Sequence, residues 1–363
     1  MRLRRVPCGK PPAFRSLTYK RRGFASGGIA AKQLGLDGKP EAFRTGRRQS
    51  RITMRIVFMG TPAAAVPTLR RCLDDGHEVV AVWTQPDRPS GRGNKLLFSP
   101  VKEFALENEL EIHQPTRLKI DETKVLFASH NADVAVVVAY GRILPVEFLN
   151  APRRGCINVH FSLLPKYRGA SPVNWAIVNG DHETGVTTMF IEPTLDTGPI
   201  LLQSKTPIGV DETAPELMAR LSESGAELLG QTLANLDNLT PHEQDHDAAT
   251  FAPILKKEDG LIDWTLTANE IAQRVRGFQP WPNAYTTVSS KGLIIWRAEP
   301  TLSDSRADCG EVLEARGDNL IVKCGGDTAL RLLELQPEAK RRMAARDFLN
   351  GTHLKIGDRL GQT

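Results

Sequence analysis

The chain has 363 residues, 40% hydrophobic and 25% charged, which is more apolar mass than one ordinary domain needs and enough to bury two cores. Its longest apolar run, around Val134 to Ala139, falls far short of the roughly 18 uninterrupted residues of a membrane-spanning helix, so a membrane protein is excluded. Cys8, Cys72, Cys156, Cys309 and Cys324 are scattered, odd in number and without a Cys-x-x-Cys pair, which argues against a disulfide framework and a thiolate metal cage.

The net charge of +5 is local to the amino-terminal end. Residues 1–53 hold 14 Lys and Arg against only Asp37 and Glu41, leaving 33 basic and 40 acidic groups over the rest. RNA binding by the folded part therefore requires a local basic patch, because the field of an acidic body repels phosphate. Residues 1–53 are Arg-rich with no acid before Asp37, as in an organellar transit peptide, yet they show no sustained amphipathic period. Met54 stands immediately before the first strand, and a start at Met54 in a bacterial-type cytoplasm is the preferred expectation. A mitochondrial or plastid location is the alternative if the extension is a targeting peptide.

In chain order, Arg55 to Met59 reads as a strand, Gly60-Thr61-Pro62 as a turn into a helix ending near Gly76, and His77 to Trp83 as the next strand. Continuous apolar strands separated by helix-length polar segments belong to a parallel sheet covered on both faces. Helices near Lys102 to Glu109 and Asp121 to Ser129 follow, with strands at Ala132 to Tyr140 and Cys156 to His160 and a helix at Pro172 to Asn179. Val186 to Ile191 and Pro199 to Gln203 read as strands, Glu212 to Leu236 as a long amphipathic helix, and the proline-bearing Thr240 to Thr250 as a linker. From about Leu261 the runs are short and β-rich, at Ala284 to Val288, Leu293 to Trp296, Leu320 to Val322 and Leu330 to Leu335, which predicts a small β-barrel or sandwich. The expected division is 1–53, an α/β domain over 54–238, a linker over 239–257 and a β domain over 258–363.

The densest chemical signal runs from Ile157 to Gly169, followed by Leu195-Asp196-Thr197-Gly198. In a strand Asn158 and His160 share one face, so an amide and an imidazole emerge together at the carboxyl end of a parallel strand, where open α/β sheets place ligands. Asp196 can complete the set. Asn, His and Asp suit acyl transfer to an amine: protonated imidazole and amide N–H stabilise the oxyanion of a tetrahedral intermediate, while the carboxylate orients the imidazole and takes up the amine's proton. Singly, His160 is what a core also uses and Asp196 an ordinary turn former; the conjunction carries the assignment.

Arg88, Arg92 and Lys95 cluster in a Pro- and Gly-bearing loop of an otherwise acidic body. Such loops are often plain solvated turns. Guanidinium groups, however, pair bidentately with phosphate or stack on bases, and a local anion site fits. Lys340, Arg341, Arg342 and Arg346 form a second basic group.

Asn158-x-His160, Ser162-Leu163-Leu164-Pro165 with Tyr167-Arg168-Gly169, and Asp196-Thr197-Gly198 together resemble the signature of the 10-formyltetrahydrofolate-dependent transferases. That signature alone does not choose among acceptors, which in this family include sugar nucleotides and glycinamide ribonucleotide. Met59-Gly60-Thr61-Pro62, the segment Thr84 to Gly93, Leu255 to Gly260 and Pro280-Trp281-Pro282-Asn283-Ala284 are similar to the methionyl-tRNA formyltransferases of the family, over Met54 to near the carboxyl end. The resemblance implies a Rossmann-like parallel-sheet catalytic domain and an OB-like C-terminal β-barrel that binds tRNA. It implies 10-formyltetrahydrofolate as formyl-donor co-substrate, no metal, initiator methionyl-tRNA as acceptor, no membrane partner and a monomer. Asn158, His160 and Asp196 would then be catalytic, Ser162, Leu163, Leu164 and Pro165 would line the folate site, and Arg92, with Arg88 and Lys95, would contact tRNA. Phe161 departs from the family's pattern, where a small residue is expected, and a ring there is expected to bear on packing beside the folate pocket.

Two other motifs fail on context. His242-Glu243-Gln244-Asp245-His246 matches H-E-x-x-H, but a zinc peptidase needs it on a packed helix and here it lies in a polar, proline-led stretch. Gly60-Thr61-Pro62 lacks the G-x-G-x-x-G spacing through which a backbone approaches pyrophosphate. A non-catalytic RNA-binding barrel remains the reading from a different class, and the Asn/His/Asp set speaks against it.

Overall fold

The computed structural model describes residues 53–90 and 95–361; residues 1–52, where the targeting reading falls, and 91–94, which include Arg92, lie outside the described residues. β1 (Arg55–Gly60) is almost wholly buried, as a strand covered on both faces must be. α1 (Val66–Asp74) follows with Pro67 in its first turn, where a missing N–H removes no helical bond. β2 (Glu78–Trp83) returns parallel to β1, with Met59 opposite Trp83. The segment expected as a loop contains a hairpin, β3 (Arg88–Ser90) and β4 (Lys95–Leu97), paired antiparallel with Arg88 opposite Leu97.

α2 (Pro100–Glu107) is capped by Ser99, whose Oγ accepts from Lys102 N at 3.1 Å. β5 (Ile112–His113), α3 (Asp121–Ser129), β6 (Val134–Val138), the unforeseen α4 (Val146–Asn150) and β7 (Cys156–His160) complete the parallel part. Then come β8 (Arg168–Gly169), α5 (Pro172–Val178), β9 (Glu183–Phe190) and β10 (Ile200–Pro207). The seven-stranded sheet has the order β10-β9-β7-β6-β1-β2-β5, with β9 and β10 as an antiparallel edge on a parallel body.

α6 (Ala214–Asn235) opens with a reciprocal Thr213–Glu216 capping box and buries Leu217, Leu221, Leu228 and Leu229 at helical spacing over the sheet. Phe161 sits in that core at 5% exposure. A Cβ on Gly225 of α6 would stand 2.9 Å from Val159 and 3.4 Å from Phe161, so the helix glycine gives up side-chain volume where the ring takes it.

β11 (Phe251–Ala252) runs parallel to β8. The sequence reading assigns no helix beyond this point, yet α7 (Ala268–Gly277) forms, capped by Thr267 and Glu270 and burying Ile271, Ala272 and Val275. β12 (Ala284–Val288), β13 (Lys291–Leu302), β14 (Val312–Arg316), β15 (Asn319–Lys323), β16 (Thr328–Pro337) and β17 (Met343–Ala344) make an antiparallel sheet in the order β12-β13-β16-β15-β14, with β17 on β16, and α8 (Ala345–Asn350) follows. α7 packs on β13 and β16 over a separate core that includes Trp264, Leu330 and Phe348. The two sheets meet where Trp175 and Val178 of α5 pack on Leu255 and Phe278, and Asn174 donates to the Gly277 carbonyl at 2.7 Å.

Candidate active site

β7 carries Asn158 and His160 toward the carboxyl end of the parallel strands, opposite Met189 and Thr187 of β9. His160 is only 6% exposed, and its two ring nitrogens have different partners. Nε2 lies 2.9 Å from the Tyr167 carbonyl, which accepts only, so Nε2 carries a hydrogen. Nδ1 therefore faces Asp196, whose Oδ2 is 3.9 Å away. That separation exceeds a hydrogen bond, as in many sites that tighten once substrate is bound. Among the described residues the half-buried Asn158 amide has no hydrogen-bond partner, leaving its N–H groups for a ligand.

Asp196 is held from two directions. Its Oδ2 accepts the Gly169 N–H at 2.8 Å, and its backbone is left-handed at φ +52°. Gly169 takes φ +125° with its α-carbon against β11, and an added Cβ would lie 2.5 Å from the Ala252 carbonyl oxygen. Only glycine lets the strand approach closely enough to deliver that N–H. The structure thus brings together the Asn, His and Asp that sequence reasoning singled out.

The four residues expected against folate divide by burial: Ser162 and Leu164 are buried, while Leu163 and Pro165 are half exposed. Ser162 Oγ donates to the Lys166 carbonyl at 2.6 Å. The turn is bolted to the antiparallel edge by two residues the sequence reading missed. Thr187 Oγ1 donates to the Ser162 carbonyl at 2.7 Å and accepts from Leu164 N at 3.1 Å, and Gln203 Nε2 donates to the Leu164 carbonyl at 2.8 Å. Nothing in strand periodicity marks these two, because their partners are backbone atoms of a non-repetitive turn.

A cavity of about 480 Å³ opens over the ends of β1, β2 and β6, lined by Thr61, Gln85, Arg88, Phe98, Ser99 and Tyr140 among others. Its floor is cross-linked: Gln85 Nε2 donates to the Tyr140 carbonyl at 2.9 Å and Arg142 Nε donates to Gln85 Oε1 at 3.0 Å. At the hairpin stem, Asp87 accepts from Gln114 at 2.8 Å and pairs with Lys102 at 2.5 Å. The Gln114 amide first, and then Lys102, hold the Asp87 carboxyl below its ordinary range. With Asp87 engaged, exposed Arg88 has no ion-pair partner among the described residues. Arg92 lies outside them, and Lys95 opens β4.

Two of the four residues of the second basic group, Arg342 and Arg346, are engaged in ion pairs. Arg342 pairs with Glu334 and lies 5.1 Å from the Trp296 ring centre, and Arg346 pairs with Asp318. The H-E-x-x-H stretch is not helical; His242 bridges backbone to backbone with Ile200, and Gln244 is buried. Elsewhere Glu111, His113 and His130 place ligand-type atoms within 4.8 Å of one another, at the sheet edge four strands from β7. There the Trp83 indole N–H donates to His130 Nε2 at 3.3 Å, and Glu111 Oε1 lies 2.8 Å from His113 Nε2.

Residues 54–233 match the formyl transferase family model and residues 254–353 the formyl transferase C-terminal domain model. Proteins named methionyl-tRNA formyltransferase are similar over most of the chain. That of Solibacter usitatus is 49% identical over 311 residues, covering 85% of this chain and 99% of the relative. That of Methylococcus capsulatus is 48% identical over 310 residues, covering 85% and 100%. Among solved structures, an N-formyltransferase from Helicobacter canadensis with folinic acid and dTDP-3-aminofucose has a TM-score of 0.58 at 18% identity, covering 78% of this chain and 100% of that one. HypX from Aquifex aeolicus with tetrahydrofolic acid has a TM-score of 0.56 at 18% identity, covering 82% and 47%. These two similarities concern the fold.

Proposed function

The chain belongs to the formyl transferase family, and from that premise we propose that Asn158, His160 and Asp196 are its catalytic set. The enzyme transfers the formyl group of 10-formyltetrahydrofolate to the amino group of methionyl-tRNA, giving N-formylmethionyl-tRNA for translation initiation. Relatives of that name, aligned over nearly their whole length at 48 to 49% identity, carry this statement of the activity.

The observation that carries the residue roles is the placement of His160 between two fixed acceptors, with Nε2 on a carbonyl and Nδ1 toward a carboxylate. The amine's lone pair forms the new N–C bond and the carbonyl π pair moves to oxygen. An Nδ1–H of His160 and the Asn158 amide stabilise that oxyanion, while the Asp196 carboxylate orients the imidazole and takes one proton from the amine. On collapse the C–N10 bond breaks, its electron pair stays on N10, and N10 receives one proton, so the proton count balances. The half-exposed edges of Leu163 and Pro165, with the backbone of Ser162 and Leu164, form the proposed folate wall. Arg92, Arg88 and Lys95 are the proposed tRNA contacts.

The proposed division is a catalytic domain over 54–238, a linker over 239–257 and a tRNA-binding β domain over 258–363. A monomer in a bacterial-type cytoplasm is the proposed state, with a mitochondrion or plastid as the alternative; a fluorescent fusion of residues 1–53 distinguishes them by where it accumulates. No helix among the described residues is long and apolar enough to cross a membrane. The decisive assay offers 10-formyltetrahydrofolate with methionyl-tRNA, free methionine and glycinamide ribonucleotide. Formylation of methionyl-tRNA alone is expected, and comparable turnover of a small acceptor overturns the acceptor assignment.

A further inference from the structure

We propose that Gln244, in the segment between α6 and β11, is a positioning residue for the transfer: it holds the Asp196 loop in the strained conformation that presents its carboxylate to His160. The inference rests on the proposed role of Asp196.

The Gln244 amide uses every hydrogen-bonding valence it has. Its nitrogen donates to the carbonyls of Asp196 at 2.9 Å and Gly198 at 2.8 Å, and its oxygen accepts from Arg168 Nε at 3.0 Å and the neighbouring guanidinium nitrogen at 2.7 Å. That guanidinium nitrogen also lies 3.0 Å from His246 Nδ1, which must accept because arginine only donates. Gln244 is 5% exposed and Arg168 4%, so an unmade bond here would leave a buried polar group unsatisfied.

The partners at either end are functional elements. Arg168 lies between Tyr167, whose carbonyl fixes His160, and Gly169, whose N–H fixes Asp196. Gln244 ties this three-residue strip to the facing loop, where Asp196 holds a left-handed φ of +52°. For a non-glycine residue that conformation is uphill, less so for Asp than for most, and it persists because its surroundings impose it. The Gly169 N–H anchors the carboxylate, and the Gln244 amide anchors the main chain behind it. Among the described residues Gln244 hydrogen-bonds neither His160 nor Asn158, so its influence passes through Asp196.

Gln244→Glu keeps the shape and the oxygen that Arg168 needs while removing both donors. We expect kcat to fall about 10- to 100-fold, as a misplacement of about 1 Å does, with KM for methionyl-tRNA and 10-formyltetrahydrofolate unchanged. Gln244→Met, which removes all four bonds, should lower kcat at least as far. In an Asp196→Asn background either change should have little further effect, because the group being positioned is gone. Wild-type kcat in a folded Gln244 variant overturns the proposal, as does a loss that is fully additive with Asp196→Asn or carried by KM. Failure of both variants to fold, read from thermal melting, also overturns it, leaving Gln244 a purely structural residue. Wild-type kcat in Asp196→Asn alone sinks the catalytic assignment of Asp196 instead, a separate result.

Discussion

The Tyr167 carbonyl stands 2.9 Å from His160 Nε2, and the residue that supplies it is itself left-handed, at φ +63°. A non-glycine residue in that region costs roughly 1–2 kcal/mol. Tyr167 offsets the cost by burying its ring and donating its hydroxyl to Asp181 at 3.0 Å; burial pushes that hydroxyl up to about 12, so it stays a donor. The carbonyl so placed accepts the Nε2 hydrogen and leaves Nδ1 as the working nitrogen.

If the catalytic assignment is correct, Asn158→Ala, His160→Ala and Asp196→Ala should each lower kcat roughly 10²- to 10⁴-fold with little change in folding. Steady-state kinetics at saturating methionyl-tRNA check this. Near-normal turnover in any two of the three rules the mechanism out.

Gly169→Ala tests whether the close approach of β8 to β11 matters. The added methyl meets the Ala252 carbonyl at 2.5 Å in a backbone conformation that alanine resists, so a stability loss of about 1–3 kcal/mol is expected. Because the same residue's N–H holds Asp196, kcat should fall as well. Denaturant melts and kinetics on one preparation separate the two effects; loss of stability with undiminished kcat disproves the link.

Arg92→Ala should raise KM for methionyl-tRNA and leave folate binding nearly intact. A lost charge-assisted contact of about 1.5–3 kcal/mol corresponds to a roughly ten- to hundred-fold fall in kcat/KM for the tRNA. Lysine should rescue only in part if the contact is bidentate or stacked. The measurement varies each substrate in turn at two salt concentrations, and unchanged tRNA parameters at both place specificity elsewhere.

Phe161→Ala should behave as a core truncation, costing about 3–5 kcal/mol of stability while leaving KM for 10-formyltetrahydrofolate unchanged, because the ring faces Gly225 and the α6 core. A changed folate KM in a protein of wild-type stability would instead assign the ring to the ligand pocket.

Asp87 should contribute an acid-sensitive part of the stability. Unfolded, it titrates near the ordinary carboxylate value of about 4; folded, the Gln114 amide and the Lys102 ammonium hold it lower. Its contribution is therefore present above about pH 4 and fades as the pH falls through the folded value. Asp87→Asn should flatten the acid decline of Tm, and an unchanged acid limb counts against the hairpin stem as its source.

Much of the α/β part is legible because its strands are continuous apolar runs separated by polar segments of helix length: Asp121–Ser129 and Cys156–His160 form with the boundaries the pattern predicts. The helix Ala268–Gly277 went unread although Thr267 and Glu270 form a capping box, since its apolar face is short and lies among β-rich runs. At the site, Asn158, His160 and Asp196 stand out because their side chains do the chemistry. Thr187, Gln203 and Gln244 do not, because each hydrogen-bonds to backbone carbonyls or amides whose positions only the folded chain defines.

The pairing of β11 with β8 sets a timetable for synthesis. Thr250 Oγ1 accepts the Tyr167 N–H at 2.9 Å across 83 residues, and Ala252 lies against Gly169. A nascent chain that has already released Asn158, His160 and Asp196 into solution lacks the strand that shapes the Tyr167–Gly169 strip. Domains fold as units and amino-terminal parts first during translation, but here the amino-terminal sheet can close before its catalytic pocket is complete. The pocket matures only when the ribosome has extruded the stretch leading into the second sheet, so a truncated product stalled after α6 is born folded in outline and inactive.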